Sequence, residues 1–253
     1  MNNKTQKKNK LIFFVGLAVV VIALVLFLLL RGGKTYTLKG KLKGGENKYL
    51  VLLDISGENP KTVDTIYLSS NGRFSKKEIF TEPSLLILQA DKDFIMLCPA
   101  KKEKIKIKGE FNNFSSTYQI KGSTESEKLH LLAERQIAIG NLLKEIQTQY
   151  DNASEDQKPM LIKEFRLRFK KIAQEEYVFL KKFISENIGS LVTLPALYSE
   201  VVDQPLFNPY EDEKVYKQVL QGLEKTLPNN PNTIKFRKFM EDFEQSKKTT
   251  PAQ

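Results

Sequence analysis

The longest uninterrupted apolar run lies near the start of the chain. Residues 11–30 read LIFFVGLAVVVIALVLFLLL, without a charge, an amide or a hydroxyl, and seventeen of the twenty are Leu, Ile, Val or Phe. At roughly 1.5 Å per residue, a helix of this length covers the ~30 Å hydrocarbon core of a bilayer. With about −0.3 to −0.6 kcal/mol per apolar residue, insertion is favoured by on the order of 5–10 kcal/mol. The rival reading is a cleaved secretory signal, whose apolar stretch is about 7–15 residues and ends at a small-x-small site. Here the run ends in Leu28, Leu29, Leu30 and Arg31, and no cysteine follows it closely to take a lipid. The segment therefore reads as an uncleaved transmembrane helix.

Beyond it the pattern changes to period two with turn punctuation, which predicts antiparallel strands over residues 36–122. Residues 36–42 alternate, Gly44-Gly45 breaks the run, and residues 48–55 resume it. Residues 62–68 and 74–80 flank the turn Ser69-Ser70-Asn71-Gly72, in which Asn-Gly supplies positive φ. Residues 84–90 form a nearly continuous apolar run expected of a strand buried on both faces, and residues 94–98 follow the polar turn 91–93. Residues 101–111 read KKEKIKIKGEF, with Ile105 and Ile107 on one face and Lys104, Lys106 and Lys108 on the other. This is a half-buried strand whose lysines also discourage edge-to-edge pairing. Residues 118–122 close a set of seven or eight strands, expected to form a β-sandwich or a partly open barrel.

At Ser123 the period becomes helical. Ser123 offers an N-cap with Glu125 and Glu127 in the first turn, and the seam runs Leu129, Leu132, Gln136, Ile139, Leu143, Ile146 and Tyr150. After a polar loop, Pro159 opens a second helix carrying Leu161, Phe165, Phe169, Ile172, Phe179 and Phe183. Two such helices predict an antiparallel hairpin whose seam packs within the chain. Shorter helices are expected over 190–202, 212–226 and 232–243, separated by Pro205, Pro209, Pro228 and Pro231. The expected class is thus α+β. Residues 1–10 are a cytoplasmic basic tail, 11–30 the anchor, 31–35 a linker, 36–122 a β domain, 123–245 a helical domain and 246–253 a flexible tail.

Charge sets the orientation. Lys4, Lys7, Lys8 and Lys10 precede the anchor, whereas only Arg31 and Lys34 follow it closely. The N-terminus is therefore expected in the cytoplasm and the bulk outside, in the periplasm of a Gram-negative cell, on a single-pass inner-membrane anchor. The formal net charge of +10 suggests nucleic acid until it is divided along the chain. Six of the 40 basic residues and none of the 30 acids lie in residues 1–34, leaving a net +4 for the rest. No Lys/Arg block with interleaved aromatics runs through that part, so a nucleic-acid partner is not expected.

No catalytic constellation is visible. Cys98 is the sole cysteine, which excludes an internal disulfide, a CxxC pair and a cysteine-rich zinc site; a buried thiol is expected, against an intermolecular disulfide. His130 is the sole histidine and is expected to be half-buried or capping. Asp54, Asp64, Asp91 and Asp93 fall at strand ends or turns, where turn chemistry explains them as well as carboxylate catalysis does. Gly40, Gly44 and Gly45 form neither GxGxxG nor a P-loop. No catalytic, cofactor-binding or metal-binding residue is assigned, and no enzyme is expected.

The stretch DTIYLSSNGRFSKKEIFTEPSLLILQADKDF, with YTLKGKL before it and IKIKGEF and YQIKGS after it, resembles a family. The family is a domain of unknown function from extracytoplasmic proteins of Gram-negative bacteria. There it commonly precedes a thioredoxin-like domain of the thiol-disulfide interchange type. SENIGSLVTLPAL and LPNNPNTIKFRKF resemble the segment joining the two domains, so the similarity covers residues 36–243. The resemblance implies the architecture and the compartment. It carries over no site residue, because the thioredoxin-like domain and its CxxC are absent here. The function expected is a membrane-anchored, non-catalytic module that binds an envelope protein or ligand. The alternative is an accessory to a periplasmic thiol-disulfide system, for which Cys98 would have to be exposed.

Overall fold

The structure, a computed structural model, describes residues 35–249; the anchor expected at residues 11–30 lies outside the described residues. Among those described, no helix is long and apolar enough to cross a membrane.

Eight strands and one short helix form the first part: β1 (Thr35–Lys43), β2 (Tyr49–Asp54), β3 (Lys61–Tyr67), β4 (Arg73–Ile79), β5 (Leu86–Ala90), β6 (Asp93–Leu97), β7 (Lys104–Glu110), α1 (Phe114–Thr117) and β8 (Gln119–Lys121). They make two four-stranded sheets, in the orders β4-β1-β7-β8 and β3-β2-β5-β6. Alternation buries one face of each strand. Leu38, Leu42, Phe74, Ile105 and Ile107 of the first sheet share a single core with Leu50, Leu52, Ile66, Leu88 and Ile95 of the second. The two sheets are not joined by a ladder, so the arrangement is two-layered and open, as in a sandwich.

Four expectations for these strands are corrected. The pairing is not wholly antiparallel: β1 and β7 run parallel, in the register Leu38 to Ile105 and Gly40 to Ile107. A parallel pair requires a long crossover, and here the chain between the two strands supplies it by building the second sheet. Consequently β7 is an interior strand, and its lysines guard no edge. β5 alternates buried and half-buried positions and so is not buried on both faces. In the Ser69–Gly72 turn only Gly72 has positive φ (+71°). Asn71 takes part through its side-chain oxygen, which accepts from Ser69 Oγ at 2.8 Å. Gly40 is required where β1 meets β7, since a Cβ there would lie 1.9 Å from the Ile107 carbonyl oxygen.

The helical part contains α2 (Thr124–Asp151), α3 (Lys158–Glu186), α4 (Thr193–Leu197), α5 (Glu213–Thr226) and α6 (Pro231–Thr249). Ser123 caps α2 as its sequence suggests, its side chain accepting from Ser126 N. Glu127 Oε1 accepts from Gly122 N at 2.7 Å, satisfying a second donor at that end. The expected seam faces inward in both long helices. Burial nevertheless falls from Leu129, Leu132, Leu180 and Phe183 at the base to half-buried Leu143, Ile146, Tyr150 and Phe165 toward the tip. Arg135 of α2 donates to the buried Glu176 of α3 through Nε at 2.8 Å and lies 3.8 Å over the Phe179 ring.

Helix 190–202 is not formed as expected. It stops at Leu197, and a two-residue hairpin turn follows between β9 (Glu200–Val201) and β10 (Gln204–Pro205). Val202 and Asp203 both have positive φ there (51° and 56°), which no right-handed helix accommodates. The last helix runs past its expected end at 243 to Thr249, into residues expected to be tail, with Lys247 Nζ held 2.6 Å from Glu213 Oε2.

The two parts pack against each other. Leu85 and Cys98, beside β5 and β6, join the helical core, and Asn230 Nδ2 donates to the Pro83 carbonyl at 2.7 Å.

Candidate functional site

Each reactive side chain flagged by the sequence has a structural neighbourhood. Cys98 is 3% exposed and belongs to the helical core. Burial, helped by Glu125 and Glu103, pushes its thiol up to about 12, so the thiolate needed for exchange is not populated near neutrality. His130 lies against the Tyr118 ring, centroids 4.3 Å apart, with Nε2 3.4 Å from Glu134 Oε1. Its Nδ1 is buried without a partner among the described residues. Asp54 accepts from Ser56 N at 2.8 Å, closing a turn. Asp93 accepts from Phe94 N at 3.0 Å and from Ser115 N, in the first turn of α1, at 2.8 Å. Asp91 has positive φ in the β5–β6 turn.

Asp64 has an ionisable neighbour of the same sign, Glu78 on β4. Lys76 pairs with Asp64 and is the main reason its carboxyl is held below the ordinary range. Glu78 is pushed up to about 7, first by burial and then by its hydrogen bond to Asp64 and that group's charge. The sequence reading missed Glu78, although a signal existed: Phe74 fixes the inward phase of β4, and Lys76 and Glu78 share that phase. The other flagged acids are not drawn into this pair. Among the described residues, no group of three or more His, Cys, Asp or Glu is arranged to hold a metal ion.

A pocket of a different kind forms where the two parts meet. β6 is the edge strand of the second sheet, and its Phe94, Ile95 and Met96 face Leu132, Ala133 and Gln136 of α2 across a cavity of about 430 Å³. Pro195 and Ser199 close one side, and Asp93, Ser115 and Tyr118 bring polar atoms to the apolar lining. A cavity of this volume is in the range of small-ligand and side-chain pockets. Phe94 remains 50% exposed at its mouth. Nothing in the sequence placed β6 beside α2, because that contact is set by how the β and helical parts dock.

Comparison with known proteins identifies the first part. Residues 36–129 match the family model described as Domain of unknown function (DUF4369), from the second residue of β1 through β8 into the first turns of α2. The match covers the strand-rich part of the resemblance read from the sequence and does not extend to its helical part, residues 130–243. No curated protein and no solved structure matches the chain.

Proposed function

We propose that this chain is a membrane-anchored, extracytoplasmic interaction module without catalysis of its own. Residues 11–30 hold it in the inner membrane with residues 1–10 in the cytoplasm, and the rest presents a binding crevice to a protein of the envelope. The observation that carries this reading is the crevice between β6 and α2. It joins the last strand of the second sheet, an apolar cavity of about 430 Å³ and a half-exposed phenylalanine at the junction of the β and helical parts. A segment of a partner protein fits those features by setting apolar side chains into the cavity between Met96 and Leu132. The alternative role in thiol exchange lacks an accessible thiol, since Cys98 is enclosed by the helical core.

Two experiments test the reading. An enzyme active only outside the cytoplasm, fused after Gln253, should be active in cells; activity from a cytoplasmic reporter alone overturns the topology. A photocrosslinker at Gln136 of the full chain should yield one discrete protein adduct in intact membranes. Ala133→Trp, which fills the cavity, should abolish it, and the same crosslinker at the exposed Tyr67 should not give it. Adducts that survive Ala133→Trp, or equal labelling from both positions, refute the crevice as the binding site.

A further inference from the structure

The outer face of the first sheet carries a concentration of charge that no single segment of the chain displays. Strand pairing sets the residues in rows. In one row Lys41 lies between Arg73 of β4 and Lys108 of β7. In the next, Lys39 lies between Ser75 and Lys106, and Lys106 is paired in turn with Lys121 of β8. In the third, Thr37 lies between Lys77 and Lys104. These rows bring eight cations from four strands onto one face. The acid in register beside them is Glu110, 3.6 Å from Lys43. None of the eight forms a salt bridge with another described residue; Lys43–Glu110 lies at the end of the same face, and the other pairs among the described residues lie elsewhere.

Like charges set directly opposite each other weaken a sheet. The face bears this repulsion without internal relief, and an external layer of negative charge would supply it. The face also holds a shallow, open hollow of about 640 Å³ over Gly40, rimmed by Lys39, Lys41, Arg73, Lys106, Lys108 and Ser75. Lysine ammonium groups and a hydroxyl are donors suited to phosphate oxygens. One end of the face carries Ile79, 79% exposed and paired with Thr35 at the start of β1. Only residues 31–34 separate Thr35 from the apolar run, a reach of at most about 18 Å from Leu30. The apolar end of the face is therefore the end nearest the bilayer.

We propose that the outer face of the first sheet lies on the anionic phosphate headgroups of the membrane that holds the chain, with Ile79 at the boundary nearest the apolar core. The proposal rests on the anchoring role assigned to residues 11–30. Clustered cations near an anionic leaflet are drawn to it and released by salt. This fixes the orientation of the molecule: one sheet face is down on the lipid, and the β6–α2 crevice, formed by the other sheet, is free for a partner.

The test uses the full chain reconstituted in vesicles and labelled through Ser75→Cys, which is selective because Cys98 is buried. A quencher attached to lipid headgroups should quench the label several-fold more strongly in phosphatidylglycerol–phosphatidylcholine vesicles than in phosphatidylcholine alone. The difference should vanish in about 1 M salt, where the Debye length is ~3 Å. It should also vanish in the double variant Lys39→Glu, Lys106→Glu, with membrane retention and melting temperature preserved. A label at Tyr67→Cys should stay unquenched throughout. Equal quenching in both lipids while the chain stays with the vesicles overturns the lipid-facing sheet but leaves the anchor intact. Release of the chain from neutral vesicles overturns both. Stronger protection of the Ser75 label by dissolved heparin or an oligonucleotide than by anionic vesicles overturns the proposal in favour of a soluble polyanion.

Discussion

The two faces of the first sheet are made by the same four strands, yet they obey opposite rules. On the inner face, Leu38, Leu42, Ile105 and Ile107 are fully enclosed and interlock with the second sheet. On the outer face most alternate positions are lysines, with one arginine, and several are placed opposite one another where a stabilising sheet would set opposite charges or β-branched pairs. The inner face is arranged for cohesion, whereas the outer face gives up some cohesion to hold a field of one sign. Along β4 the division loosens: Lys76 and Glu78 occupy the inward phase and meet Asp64 of β3 there.

That contrast can be broken by substitution, beginning with the largest effect. Gly40→Ala drives a Cβ into the Ile107 carbonyl oxygen and the Phe74 ring. The β1–β7 ladder has to open, and the full chain is expected not to accumulate in folded form, as limited proteolysis of membranes will report. Ile107→Ala removes a fully buried side chain and should cost about 2–5 kcal/mol in chemical denaturation.

Next comes pH. Glu78 binds its proton more tightly folded, at about 7, than unfolded, near 4.5, so its contribution to stability is complete below 4.5 and is lost as pH rises through 7. The melting temperature should fall over that interval. Glu78→Gln, which cannot ionise, should flatten the fall; an unchanged slope would mean that Glu78 does not titrate there. The smallest effect has the opposite sign to the core substitution. Lys106→Thr relieves repulsion with Lys39 and Lys121 and should raise stability by about 0.2–1 kcal/mol in low salt, and by less in high salt. If it destabilises the chain as Ile107→Ala does, the outer face is structural and the contrast fails.

Much of the fold was legible because periodicity is local. The alternation that buries Leu38, Ile105 and Ile107, the Ser123 cap and the steps of three and four from Leu129 to Tyr150 all appear at the expected positions. The helix expected over 190–202 failed through local conformation, since nothing in the side chains announces left-handed backbone at Val202, a β-branched residue. Glu78 was legible only in part. Its inward phase follows from Phe74, but its closeness to Asp64 depends on β3 and β4 facing each other from separate sheets.

What the amino-acid order determines on its own is what one strand or one helix can express: the apolar run at residues 11–30, the inward and outward phases of each strand, and a single cysteine that excludes CxxC chemistry. Strand by strand, the lysines of β1 and β7 look like ordinary solvated positions. Only the tertiary structure sets those strands side by side, 67 residues apart in the chain at Lys41 and Lys108, and so fuses two modest stripes into one charged face. Only the docking of the helical part onto the sheets opens the crevice beside β6 and closes over Cys98. Charge density and burial depend on distances between segments, and loop closure and core packing set those distances after local preference has done its part.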